Sequence, residues 1–174
     1  KNSLIVSQTD EGIHYLINTS DNVIGKEIFR DRKSFDSHNL LGALEIIGFE
    51  KSTIIDVGSN IGPIGIFGVS KGYFSKCIAF EPEPNNFKLL KCNVIINGLE
   101  EKFDLRNEAL SNEKVKKLDF ELSPTNYGDH RVRFKKKSGL YNEEIRKVIS
   151  VEVNTLDNAL ENYDLKQCLL FMDA

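Results

Sequence analysis

Two short stretches carry residue types that could do chemistry. Thr53-Ile54-Ile55-Asp56-Val57-Gly58-Ser59-Asn60-Ile61-Gly62-Pro63 is a β-branched apolar run that reaches a carboxylate, a glycine turn and a proline. Cys77-Ile78-Ala79-Phe80-Glu81-Pro82 repeats the apolar run and the carboxylate, with Glu81 standing 25 positions after Asp56. A buried strand, a tight turn and a helix N-terminus are the parts of a nucleotide pocket in an open α/β sheet. Ligands there sit beyond the carboxyl ends of the strands. An acid at the end of the second strand is placed to meet a ribose diol.

The glycine turn narrows the ligand. A dinucleotide fingerprint needs G-x-G-x-x-G so that backbone amides can approach a pyrophosphate. Counting from Gly58, its second and third glycine positions are Asn60 and Pro63. A P-loop also fails, because no Gly-Lys-Ser/Thr follows the turn. An acid beside the pocket repels a pyrophosphate but suits a ligand carrying an ammonium and a sulfonium. S-adenosylmethionine is such a ligand, with Glu81 accepting hydrogen bonds from its ribose hydroxyls. The competing interpretation is a plain β-turn-α unit whose glycines only relieve sterics.

Methyl transfer from a sulfonium is an in-line displacement, so alignment and exclusion of water dominate. A hydroxyl acceptor also needs a base within reach. His130, in Asn126-Tyr127-Gly128-Asp129-His130, titrates near neutrality, and Asp129 is a candidate to orient it. Asp173 ends a final apolar run, where ligands of such sheets bind. A solvated loop histidine and a turn aspartate are the bland alternatives. His14 and His38 fall on a strand and a helix and are expected to be structural. No H-x-x-H or C-x-x-C spacing appears, so no zinc site is expected, although a Mg²⁺ site using Asp173 stays open. G-x-S-x-G is absent. Arg131, Arg133, Lys135, Lys136 and Lys137 form a dense basic run, either a solvated edge or a contact for an acidic or phosphorylated acceptor.

The elements that must position these groups follow from periodicity. Residues 4–6 and 13–17 flank Thr9-Asp10-Glu11-Gly12 and read as a hairpin. Residues 21–33 read as a loop with a short ordered piece, and Ser34 as the cap of a helix over 36–47. Strands are expected over 53–57, 75–80 and 103–106. Between them lie a helix from Pro63 to about Lys71 and another capped by Asn85 or Asn86 and closed at Asn97-Gly98. This β-α-β-α-β order predicts an α/β fold with a doubly wound, mostly parallel sheet. A β-hairpin insert follows, with strands at 117–122, 131–134 and 148–153. A short helix over 156–162 and a strand ending at Asp173 come next. A doubly wound sheet continues from such a strand, so the C-terminal strands are expected to be missing from this chain. Residues 1–51 read as an N-terminal extension packed on a core of residues 52–174.

Bulk composition sets the outer limits. A chain of 174 residues buries roughly 70% of its unfolded surface, enough for a real core. The net charge of −3 argues against a general polyanion binder, so no nucleic-acid partner is expected. Cys77, Cys92 and Cys168 make an odd set without a close pair. Cys77 and Cys168 sit in apolar runs, as reduced, buried thiols of a cytoplasmic protein do. No apolar run approaches the length of a membrane span.

The ordered series of residues resembles a known family. Ile55-Asp56-Val57-Gly58-Ser59-Asn60-Ile61-Gly62 and Ala79-Phe80-Glu81-Pro82-Glu83-Pro84 are similar to the signature of FkbM-type S-adenosylmethionine-dependent methyltransferases. The likeness continues through Asn93, Asn97, residues 107–111, 153–157 and Phe171-Met172-Asp173. It implies a class I methyltransferase (Rossmann-like) fold and methylation of a hydroxyl on a sugar, lipid or polyketide-like acceptor. It further implies that Asp56, Gly58 and Asn60 line the methionine end, Glu81 holds the ribose and Asn107 to Ala109 border the adenine, with Gly62 also among the cofactor-binding residues. Two rivals stand beside it: a non-catalytic scaffold that keeps the pocket, and an NAD-dependent oxidoreductase, which Asn60 and Pro63 disfavour.

Overall fold

A computed structural model describes residues 3–48, 52–112, 115–133 and 143–173. The chain opens with β1 (Leu4–Gln8) and β2 (His14–Asn18), an antiparallel pair. Thr9 Oγ1 accepts the Ile13 N–H across their turn. Residues 24–31 form a full helix, α1 (Ile24–Asp31), where the sequence suggested mostly loop. Its buried Ile24 and Ile28 supply the apolar stripe, and Asp21 Oδ2 accepts the Gly25 N–H at 2.7 Å. Then comes α2 (Ser37–Ile47), which starts after Asp36 rather than from a Ser34 cap. Ser34 instead shares a hydrogen bond with the buried Tyr15 hydroxyl.

The central layer is a parallel sheet in the order β10-β3-β4-β5. It is built from β3 (Thr53–Val57), β4 (Lys76–Phe80) and β5 (Phe103–Arg106), joined at its far side by β10 (Cys168–Met172). Helix α3 (Pro63–Ser70) links β3 to β4, and α4 (Pro84–Ile96) links β4 to β5. Helix α3 is apolar all round, as a helix enclosed on every side should be, and Pro63 through Val69 are all buried. Sheet, α2 and α3 meet in one apolar cluster that includes Leu40, Ile54, Ile66, Phe67 and Leu90. Each fully buried aliphatic there contributes about 1.5–3 kcal/mol. The cap of α4 is Glu83, whose carboxylate accepts the Asn86 N–H at 2.6 Å; neither Asn85 nor Asn86 is the cap, and Pro84 is the first helical residue.

The N-terminal hairpin is attached to this layer by side-chain amides. Asn93 Oδ1 accepts the Leu16 N–H at 2.6 Å while its Nδ2 donates to the Ile61 carbonyl. Asn97 holds both the N–H and the carbonyl of His14. Ile13, Tyr15 and Ile17 of the hairpin enter the same apolar cluster as β3 and α3.

The insert forms a second, mixed sheet in the order β6-β9-β7-β8. Its strands are β6 (Ala109–Leu110), β7 (Lys117–Leu122), β8 (Arg131–Val132) and β9 (Lys147–Asn154). Strand β8 is shorter and β9 longer than the alternation suggested. A short helix, α5 (Leu156–Leu160), packs Ala159 and Leu160 against Ile55, Val57, Ile78 and Phe80 on the other face of the parallel sheet. Of the cysteines, Cys77 is buried; Cys168 is only half-buried because β10 is an edge strand of the sheet.

Candidate functional site

The chain passes from β3 to β4 and β5 on one side, then returns at β10 on the other. The carboxyl ends of β3 and β10 therefore form a topological switch point, where open α/β sheets bind ligands. Gly58 follows β3, Glu81 follows β4 and Asp173 follows β10.

Gly58 and Gly62 take positive φ, +84° and +93°, to turn the chain from β3 into α3. A Cβ on Gly62 would lie 2.6 Å from Leu90 Cδ1, so the turn also needs the absence of a side chain. Asn60 adopts φ +51°, and its N–H donates to Glu81 Oε2 at 2.8 Å. The Glu83 N–H donates to Glu81 Oε1 at 2.7 Å. Glu81 is thereby held by two backbone donors, yet burial, aided by the charges of Glu83 and Asp56, pushes its carboxyl up to about 8.

Two neighbouring cavities with shared lining residues lie at these strand ends. One, of about 90 Å³, is lined by Gly58, Asn60, Glu81, Ala109, His130 and Asp173, six of the residues singled out from sequence. The other, of about 30 Å³, shares Gly58, Asn60 and Asp173 and adds Asp56, Pro63 and Phe171. Asp56 sits at the base, where its Oδ2 accepts the Gly65 N–H at 3.2 Å. Burial, with a smaller contribution from Asp173, raises the Asp56 carboxyl to about 7. Gly62 and Asn107 do not line the larger cavity. Gly62 packs on α4, and Asn107 Nδ2 donates to the Glu81 carbonyl at 2.8 Å, fixing the strand end that presents the acid.

Glu108, inside the Asn107-to-Ala109 stretch that the resemblance sets at the adenine, lines the larger cavity, and its buried Oε1 has no hydrogen-bond partner among the described residues. A buried acceptor without a donor is costly, on the order of 1–3 kcal/mol, so it marks where a ligand donor fits.

The roof of the cavity is the loop between β7 and β8. The Tyr127 carbonyl accepts from Asn60 Nδ2 at 2.8 Å and from Asn86 Nδ2 at 3.0 Å. The Asn22 N–H donates to the Thr125 carbonyl, so the N-terminal segment grips the same loop. His130 Nδ1 accepts the Ser123 N–H at 3.0 Å, which places the ring proton on Nε2. Burial and the nearby Arg146 lower His130 to about 4, so it is neutral at physiological pH. Asp129 is bound to Arg146 rather than orienting His130, contrary to expectation. Of the basic run, Arg131 and Arg133 both reach the buried Glu121; Lys135, Lys136 and Lys137 lie outside the described residues. Among the described residues no group of three or more His, Cys, Asp or Glu is arranged to hold a metal, and no helix is long and apolar enough to cross a membrane.

A parallel sheet with the switch point between β3 and β10, and an acid-lined pocket above it, defines a class I methyltransferase-like domain. The methyltransferase FkbM domain profile matches residues 56–174. The chain therefore belongs to the FkbM family of S-adenosylmethionine-dependent methyltransferases. A search of curated protein sequences finds no match. Similar solved structures include Pyrococcus horikoshii TYW2 in complex with MeSAdo (21% identity, 59% of this chain and 35% of that one, TM-score 0.40). Another is Methanocaldococcus jannaschii Trm5 with adenosine (22% identity, 60% and 29%, TM-score 0.38). A third is the Pyrococcus abyssi tRNA (uracil-54, C5)-methyltransferase with S-adenosyl-L-homocysteine (21% identity, 65% and 25%, TM-score 0.43). The matched part of this chain spans about a quarter to a third of each of those structures.

Proposed function

We propose that this chain binds S-adenosylmethionine across the two neighbouring cavities and methylates a hydroxyl on a sugar, lipid or polyketide-like acceptor. The observation that carries the proposal is the ring of acids, Glu81, Glu108 and Asp173, around one cavity, with a buried Glu108 oxygen lacking a donor. Such a ring favours a cationic, hydroxyl-rich ligand with an exocyclic amine and repels a pyrophosphate, which disfavours NAD. Glu81 takes the ribose hydroxyls, Glu108 the adenine amine, and Ala109 borders the base. Gly58, Asn60 and Asp173 face the methionine end, while Asp56, Gly62 and Asn107 are positioning residues that set the turn and strand ends.

Held by Gly58, Asn60, Glu81 and Glu108, S-adenosylmethionine would supply an electrophilic methyl group to the acceptor oxygen, its sulfur leaving as a neutral thioether. Asp173 receives the proton released by the acceptor hydroxyl. His130, neutral and protonated at Nε2, hydrogen-bonds the acceptor oxygen and orients it instead of acting as the base. The Tyr127 roof lifts to admit the cofactor, since 90 Å³ is below the roughly 300–1,000 Å³ of small-molecule sites.

Calorimetric titration with S-adenosylhomocysteine, with NAD as control, tests this. Binding of the first alone is expected. Binding of neither moves the non-catalytic scaffold ahead, and binding of NAD alone replaces the cofactor assignment.

A further inference from the structure

A third cavity, of about 560 Å³, opens on the far side of the roof. It lies between the N-terminal hairpin, the first turn of α4 and the β7–β8 loop, and its volume is within the range of small-molecule sites. It shares Asn86, Tyr127 and His130 with the larger cofactor cavity. Tyr127 stands between the two, its carbonyl accepting from Asn60, which lines the cofactor side, and from Asn86, which lines both.

The chemistry of the cleft differs from that of the acid-ringed pocket. Leu4, Leu89, Pro124 and Ile145 give it apolar walls, and two exposed lysines, Lys88 and Lys147, border it. Neither lysine forms an ion pair with a described residue. The one carboxylate in the lining, Glu83, is engaged by the Asn86 N–H and by Asn85 Nδ2. Two lysines without an ion pair among the described residues, over an apolar wall whose one described carboxylate is already engaged, favour an anionic ligand that also carries apolar or ring surface.

We propose that this cleft is the acceptor site and takes a soluble phosphate-bearing polyol, such as a sugar phosphate. Its anionic end rests on Lys88 and Lys147, and its hydroxyl reaches past His130 to the cofactor pocket. The inference rests on the methyltransferase proposal above. It separates an anion-binding acceptor subsite from a cofactor pocket whose acids reject anions, so the two ligands cannot exchange places.

The test is calorimetric titration of glucose 6-phosphate into protein saturated with S-adenosylhomocysteine. Wild type is expected to bind it and to ignore glucose. The Lys88→Gln/Lys147→Gln double variant should bind it at least about tenfold more weakly with unchanged S-adenosylhomocysteine affinity. Both lysines are exposed, so the variant retains its fold, checked by circular dichroism. Unchanged glucose 6-phosphate affinity in the double variant, equal binding of glucose, or no binding by wild type overturns the acceptor assignment. Binding of a uridine oligonucleotide in place of glucose 6-phosphate overturns it in favour of an RNA acceptor. Failure of S-adenosylhomocysteine itself to bind overturns the underlying methyltransferase proposal instead.

Discussion

The floor and the roof of the proposed cofactor pocket are built on opposite plans. The floor is local: Asn60 and Glu81 are 21 positions apart, and Asp56 and Gly65 only 9. The roof is assembled from distance: Tyr127 meets Asn86 across 41 positions, Asn60 across 67 and Asp21 across 106. The floor's groups are buried acids locked by backbone donors, whereas the roof is a surface loop held by a few amides. The difference separates two tasks. A floor locked by backbone donors can hold carboxyl groups out of water, and a roof held by a few net-weak bonds can open.

Breaking the floor has the largest expected effect. Above about pH 8, where Glu81 is ionised, Glu81→Ala should weaken S-adenosylmethionine by about 1.5–3 kcal/mol, the scale of hydrogen bonds to a charged group. Calorimetry on the folded variant checks it, and wild-type affinity would remove Glu81 from the ribose role.

A pH series sharpens the comparison, because the floor alone titrates near neutrality. Burial raises Asp56 from 3.8 to about 7 and Glu81 from 4.5 to about 8. Their folded values exceed their unfolded ones, so the contribution of these two groups to the stability of the free protein is fully present below about pH 4 and is lost as pH rises toward 8. Ligand binding should run the other way. A sulfonium favours ionised carboxylates, so S-adenosylmethionine should bind roughly threefold to tenfold tighter at pH 8 than at pH 6. S-adenosylhomocysteine, lacking the sulfonium charge, should change less. Parallel pH slopes for the two ligands would mean that the acids do not sense the sulfonium.

Breaking the roof should cost least. Asn86→Ala removes one of the two donors to Tyr127 and leaves the other, worth about 0.5–1.5 kcal/mol. The dissociation rate of S-adenosylhomocysteine, followed by stopped flow, should rise several-fold up to about tenfold. An unchanged rate would show that the roof does not retain the cofactor.

The floor was legible in the sequence and the roof was not. Apolar runs ending in Asp56, Glu81 and Asp173 announce their strands, and the spacing of Gly58, Gly62 and Pro63 announces the turn, because strand burial and positive φ leave marks on adjacent residues. Helix α1 was harder to see, since its apolar face is carried mainly by Ile24 and Ile28 in an otherwise polar stretch. Asn86 looked like a helix cap, but Glu83 performs that task and frees its amide for the roof.

The sequence by itself therefore determined the strands, the acids at their ends and the family signature, since each depends on neighbours a few residues away. Only the tertiary structure decided how the groups of the β7–β8 loop are partnered. Asp129 turned to Arg146, His130 gave its Nδ1 to Ser123, and Tyr127 became the wall between two cavities. A polar side chain in a loop has several local partners of similar energy. Its choice is made by whichever distant donor the fold brings within about 3 Å.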